Sequence, residues 1–258
     1  MDDTSEMSAI IHSLDADPLT MLKECGGYYE CPKGEDGKRL GPLVGYAGTY
    51  EMPDSTRKQW VGDAYANFAK AEEFPRILAT LAYRLEDALR PFLGSDAIFC
   101  GAPIGGYCLS QALGFTYDRR VIKAEKKVTA LATASTREKS ELIFARHEIT
   151  SGENVIIVED VCNNFSTTTQ LVSLVEKSGG TVTAIVCLLN RSLDMGIAYR
   201  SQNGIEIPII SLVRLIIPEY RQDDPEVAED IAHGNVIWKP KNEWPRLMKA
   251  MERDTFRP

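Results

Sequence analysis

Residues 153 to 191 read ENVIIVEDVCNNFSTTTQLVSLVEKSGGTVTAIVCLLNR. Two apolar runs, each only long enough for a strand, flank a segment with Leu171, Leu174 and Val175 at helical spacing and a Gly179-Gly180 stop. Runs without polar alternation belong to strands covered on both faces. Strand, helix and strand in this order and length require a parallel pair joined by a right-handed crossover. Upstream, AIFCGAPIGGYCLSQALGF repeats the theme as an apolar run, a glycine-rich turn and a second helical pattern, and RRVIK (119 to 123) and GIEIPIISLV (204 to 213) supply further strands. The expectation is an α/β fold: a mostly parallel central sheet with helices on both faces.

Around this core the chain divides into three. Residues 1–72 crowd Gly, Pro and charge into CPKGEDGKRLGPLVGYAGTY, with EDGK as a hairpin turn, and form an N-terminal accessory hood in which Tyr28, Tyr29, Tyr46 and Trp60 pack. Residues 73–217 are the core, opening with one amphipathic helix over 73 to 92 that buries Ile77, Leu78, Leu81, Leu85 and Leu89 and closes at Pro91 and Gly94. Residues 218–258 are a C-terminal helical extension, with helix starts at Pro225 and at Pro245. The stretch 129 to 141 lacks any period and reads as a mobile loop.

Composition narrows the partners. With 29 basic and 37 acidic side chains the formal charge is −8, which lacks the basic footprint of a nucleic-acid binder or of attachment to anionic membranes. No apolar run approaches the roughly 18 residues of a spanning helix, and the acidic start is unlike a secretory leader, so the expected location is the cytoplasm. Cys25, Cys31, Cys100, Cys108, Cys162 and Cys187 have no paired spacing and read as reduced thiols; His12, His147 and His233 have no metal-ligand spacing.

In parallel sheets ligands bind beyond the carboxyl ends of the strands. There, Glu159 and Asp160 end an apolar strand and precede a loop of amides and hydroxyls that runs into a helix start. A helix start offers unpaired N–H groups and the positive end of a dipole to a phosphate, and neighbouring carboxylates suit sugar hydroxyls or a hydrated magnesium ion. The arrangement points to a sugar phosphate. On these residues the sequence resembles the type I phosphoribosyltransferases, in particular the orotate-like branch, over about residues 70 to 192. GAPIGGYCLSQAL is similar to that family's pyrophosphate loop, and IKAEKK to the basic stretch before its flexible loop.

The resemblance implies a magnesium-dependent transfer between phosphoribosyl pyrophosphate and a nucleobase, an orotate-like pyrimidine first, by a homodimer. It assigns Glu159 and Asp160 to the ribose hydroxyls and to any carboxylate contact with Mg2+. It gives Asn163, Asn164, Phe165, Ser166 and Thr167 to the 5-phosphate, and Ala102, Pro103, Ile104, Gly105 and Gly106 to the pyrophosphate. Lys123 and Lys127 become anion-neutralising lysines, with Lys127 reaching a neighbouring subunit's site and Arg137 and Lys139 as alternatives. The loop 129 to 141 would close over the site, and Asp63, Tyr65, Asn67 and Lys70 are candidate base contacts. The sequence departs from the pattern at NNFST, where the family's phosphate loop carries glycine. Asn163 and Asn164 are then expected to supply the left-handed φ that glycine normally permits. A glycine-free loop also leaves a second reading, a sensor on the same fold that binds phosphoribosyl pyrophosphate or a nucleotide without turnover.

Overall fold

The computed structural model describes residues 16–130, 139–201 and 203–255. The chain divides into two compact units, one built from residues up to Ala71 together with those from Ile217 onward, the other from Glu72–Ile216.

The first unit opens with α1 (Pro18–Glu24), capped by the Asp17 carboxylate on the amides of Leu19 and Thr20. Strands β1 (Tyr28–Glu30), β2 (Leu43–Glu51), β3 (Arg57–Gly62) and β4 (Ala64–Ala66) follow. β1 pairs antiparallel with β4, and β2 with β3. The EDGK stretch is a tight turn, with Gly37 at φ 76° and a single bridge between Lys33 and Arg39. Tyr28, Tyr29 and Tyr46 are buried, and the hydroxyls of Tyr29 and Tyr46 donate to the Pro42 and Ala64 carbonyls at 2.7 Å. These bonds satisfy the polar tips that burial would otherwise strand.

The second unit contains α2 (Pro75–Tyr83), α3 (Glu86–Leu93), β5 (Ile98–Gly101), α4 (Gly106–Tyr117), β6 (Val121–Lys123), β7 (Glu125–Ala130), β8 (Lys139–Ile143), β9 (Asn154–Cys162), α5 (Ser166–Lys177), β10 (Thr181–Asn190), β11 (Ala198–Arg200) and β12 (Glu206–Arg214). Among the described residues six strands hydrogen-bond in the order β11-β12-β10-β9-β5-β6, parallel except for the edge strand β11. The parallel α/β expectation holds. β9 lies between β10 and β5, and Val155 to Val158 are fully buried, so the unbroken apolar run has cover on both faces. α5 buries Thr168, Leu171, Val172 and Val175, one helical stripe, each large apolar side chain contributing about 1.5–3 kcal/mol. It ends where Gly179 takes φ 88° and the Gly180 amide returns to the Val175 carbonyl at 3.0 Å.

Two expectations are corrected in this unit. The single helix over 73 to 92 is two helices, α2 and α3, with Leu85 at the joint and Pro91 inside the second. Leu81, Leu85 and Leu89 are buried on both sides of the break, so the apolar spacing passes through the change of direction unaltered. The flanks of the expected loop are strands: β7 and β8 pair antiparallel, while 131–138, with Arg137, lie outside the described residues. β7 has five exposed residues in its six, and a strand with so little burial carries no apolar period to read.

From Ile217 the chain completes the first unit with α6 (Pro225–Ala232), β13 (Val236–Ile237) and α7 (Trp244–Thr255). β13 adds to β2 in parallel, and Val227 and Val236 pack with Leu43 and Val61. All six cysteines are free thiols, and no described helix is long and apolar enough to cross a membrane.

Asp63, a candidate base contact, is engaged inside the first unit. Arg39 Nε and Lys33 Nζ donate to its two oxygens at 2.5 and 2.9 Å, and Arg39 also pairs with Asp230 at 3.2 Å. Burial pushes the Asp63 carboxyl up, but the two cations outweigh it and hold it below its ordinary 3.8. A carboxyl depressed in the folded state stabilises above its unfolded value, and that stability is lost as pH falls through the lower folded value. In urea titrations Asp63→Asn should lower stability at pH 7 by about 2 kcal/mol, chiefly by taking from the buried Arg39 guanidinium one of its two carboxylates. Its stability should also fall less steeply than wild type below about pH 4. Parallel curves would show that the pair contributes nothing.

Candidate functional site

The carboxyl ends of β5, β6, β9, β10 and β12 share one edge of the sheet, because these strands are parallel and in register. Gly101 pairs with Lys123 on one side and Val158 on the other, and Asn190 pairs with Cys162 and Arg214. Polar residues that end these strands therefore converge although they are up to a hundred residues apart.

The two glycine positions bind the first loop to β9. The Val158 carbonyl accepts the Ala102 amide at 2.9 Å, and a Cβ on Gly106 would lie 2.0 Å from the same oxygen. A Cβ on Gly105 would lie 2.3–2.4 Å from all three atoms of the Asp160 carboxylate group. The loop Ala102–Gly106 thus lies against the acidic strand end, with Ala102 buried, Ile104 exposed and the Pro103-Ile104 peptide cis. Strand alternation sends Asp160 to this side and Glu159, which is buried, to the face that Val155 and Ile157 share with α5. One Asp160 oxygen accepts the Val161 amide at 2.8 Å.

The second loop turns at Phe165. Among the described residues with φ above zero, Ser55, Asp118 and Phe165 are not glycine, and Phe165 has φ 54° and ψ 20° at the start of α5. This corrects the expectation for Asn163 and Asn164. Asn164 acts differently: its Oδ1 accepts the Ser166 amide at 3.1 Å. The left-handed conformation costs a residue with a Cβ about 1–2 kcal/mol. Against it, the Phe165 ring is buried with Leu171, Val172 and Cys162 and stacks on Tyr199, centroids 5.8 Å apart and planes at 30°. Burying such a ring is worth about 2–3 kcal/mol and the pair about 1 kcal/mol more, so packing exceeds strain. The ring sits in the core, and the exposed Asn164 and Ser166 flank it at the surface.

Lys123 ends β6 half-buried, its Nζ 5.4 Å from the centre of the Tyr107 ring. Tyr107 in turn donates to the Ala124 carbonyl. Lys127 stands apart: it is exposed on β7, four residues and about 13 Å of strand beyond Lys123, in register with Glu141.

Sequence reasoning missed the end of β10. Asn190, Arg191 and Ser192 are buried there, and Arg214 Nη1 donates to the Asn190 carbonyl at 3.0 Å while its Nη2 reaches the Ser192 carbonyl. The Asn190 side-chain amide holds the following loop through the carbonyls of Met195 and Gly196, at 2.8 and 3.0 Å. The signal was available, since LLNR and SLVR end apolar runs in polar groups just as IIVED does. The Cys162 thiol is raised well above its ordinary value by its hydrogen bond with Cys187, by burial and by the neighbouring carboxylates, and burial pushes Cys100 up to about 12, so both favour the thiol over the thiolate.

No family model matches this sequence. Over 164 residues it is 26% identical to the orotate phosphoribosyltransferase of Thermoanaerobacter sp. (strain X514), spanning 63% of this chain and 75% of that one. Over 156 residues it is 27% identical to the orotate phosphoribosyltransferase of Rhizorhabdus wittichii, spanning 59% and 69%. In sequence the chain is similar to these orotate phosphoribosyltransferases. Among solved structures, the orotate phosphoribosyltransferase from Aeropyrum pernix superposes with a TM-score of 0.49 at 13% identity, over 76% of this chain and 92% of that one.

The two glycines of the first loop should respond differently to a methyl group. Gly106→Ala forces Cβ onto backbone, which cannot swing aside, and should cost at least about 2 kcal/mol in urea unfolding. Gly105→Ala meets a movable carboxylate and should cost under about 1 kcal/mol while displacing Asp160 in a crystal structure. Equal losses at the two positions would refute the close approach of the loop to β9.

Proposed function

We propose that the chain is a phosphoribosyltransferase that joins a nucleobase, an orotate-like pyrimidine first, to ribose 5-phosphate and releases pyrophosphate. One observation carries the reading: the Asp160 carboxylate lies against the glycine loop at the strand edge, two loops apart in sequence yet in contact. In this reading the 5-phosphate rests on the amides from Asn163 to Thr167 at the start of α5. The ribose hydroxyls meet Asp160 and Glu159, and the pyrophosphate lies along Ala102–Gly106 with Lys123 beside it.

The C1–O bond to pyrophosphate breaks as a base nitrogen forms the new bond to C1, and positive charge collects on the sugar between the two. The protein's part is position and electrostatics: amide dipoles for the phosphate, a carboxylate below the charged ring, and a half-buried lysine opposing the leaving group's charge. Among the described residues no group of three or more His, Cys, Asp and Glu is arranged to hold a metal. A protein offering one or two carboxylates suits Mg2+ bound chiefly by substrate oxygens and water, with Asp160 and Glu159 as the protein's contribution; bound there, the ion would neutralise pyrophosphate charge. Lys127, carried outward on the exposed β7–β8 ribbon, is the lysine we assign to a second copy's site in a homodimer, working in the cytoplasm.

Asn164 supports a second reading. Its side chain already occupies the Ser166 amide, one of the donors a phosphate would need, as in a sensor whose loop rests closed. Incubation with phosphoribosyl pyrophosphate, magnesium and a panel of orotate, uracil, purines and nicotinate-type acids should release pyrophosphate with one base. Asp160→Asn should lower that rate about 10²-fold with the urea midpoint unchanged. Calorimetric binding of phosphoribosyl pyrophosphate with no turnover would favour the sensor, and absence of both would refute the site.

A further inference from the structure

The residue that turns the phosphate loop is held by a chain of contacts from outside the loop. Thr169 gives both its amide and its hydroxyl to the Phe165 carbonyl, each at 2.8 Å. The hydroxyl of Tyr199, on the edge strand β11, donates to Thr169 Oγ1 at 3.0 Å. The Tyr199 ring also stacks on the Phe165 ring. One tyrosine therefore grips the turn twice, through the side chain of Phe165 and, by way of Thr169, through its carbonyl. Tyr199 is buried, and among the described residues its hydroxyl finds its partner on α5.

We propose that Tyr199 and Thr169 are positioning residues of the phosphate loop, and that this latch supplies the left-handed turn for which the loop has no glycine. Glycine would let the turn form without help but would leave it free to relax. Phe165 makes the same turn only while its ring and carbonyl are both held, so the shape of the anion-binding amides depends on β11. The inference rests on the phosphoribosyl-binding reading for its consequence, but the latch itself has a separate readout.

The test uses the full chain and two measurements: hydrogen exchange of the amides from Asn163 to Thr169, and steady-state kinetics with phosphoribosyl pyrophosphate. Tyr199→Phe keeps the stack and removes the hydroxyl; Thr169→Val removes the other end of that bond together with the Oγ1 bond to the Phe165 carbonyl. Tyr199→Phe should raise exchange in this segment about five-fold, the loss of one hydrogen bond, and Thr169→Val, which also loses the Oγ1 bond to the Phe165 carbonyl, should raise it more; KM for phosphoribosyl pyrophosphate should rise in step, with kcat within two-fold. The double variant should match Thr169→Val alone, because that change already cuts the Tyr199–Thr169 bond. Phe165→Gly should retain tighter binding than Phe165→Ala, the reverse of the order expected if the ring served only to fill the core. Unchanged exchange in both single variants, or independent effects in the double, would overturn the latch. If Tyr199→Phe does not fold, Thr169→Val decides. A wild-type chain that neither binds nor turns over phosphoribosyl pyrophosphate would remove the functional reading, and exchange would still judge the latch.

Discussion

The carbonyl of Val158 is where the two halves of the candidate site are joined. It accepts the amide of Ala102, and it fills the space where a side chain at residue 106 would begin. β9 is a central strand hydrogen-bonded on both edges, so that carbonyl is held in place. The glycine loop takes its position from the strand, and the strand's next residues, Glu159 and Asp160, are placed relative to that loop by no more than two peptide units. Short covalent distance from a rigid element is the most economical way to fix functional groups, because little backbone entropy remains to be lost when a ligand arrives.

The same reasoning separates what was legible in the sequence from what was not. β9, α5 and β10 were legible because burial on both faces or on one stripe writes itself as an unbroken or 3.6-residue pattern, and because Gly179 marks a helix end that requires positive φ. The acidic strand end and the glycine loop were legible by their position after such runs. β7 was not, since a strand with five exposed residues in six is held by main-chain bonds that any polar residues can make. The joint at Leu85 was hidden for the opposite reason: both helices bury the same leucine stripe.

Phe165 was misread in an instructive way. A local rule ranks residues by how readily each tolerates left-handed backbone, and by that rule Asn163 and Asn164 come first. The rule ignores what the side chain does after the turn. Asparagine at 165 would offer the core a polar group, whereas phenylalanine offers a ring, and the space beneath it is closed by Tyr199, thirty-four positions along the chain. No window short enough to detect a turn contains that partner. Asn164, released from the turn, uses its side chain to cap the Ser166 amide instead.

A loop shaped by packing behaves differently from one shaped by glycine. A glycine-rich anion loop can adopt several forms when empty and must give up that freedom on binding, a cost set against affinity. A loop whose turning residue is fixed in the core gives up less, but has less capacity to adjust as phosphate, ribose and leaving group change their distances during transfer. With Asn164 already seated on one donor, the adjustment left to this loop in the proposed reading would be exchange of that side-chain oxygen for a phosphate oxygen, a replacement of one acceptor by a stronger, charged one. Binding would then proceed by substitution on a preformed frame, and the position of that frame would be set by the sheet's far edge as much as by the loop's own residues.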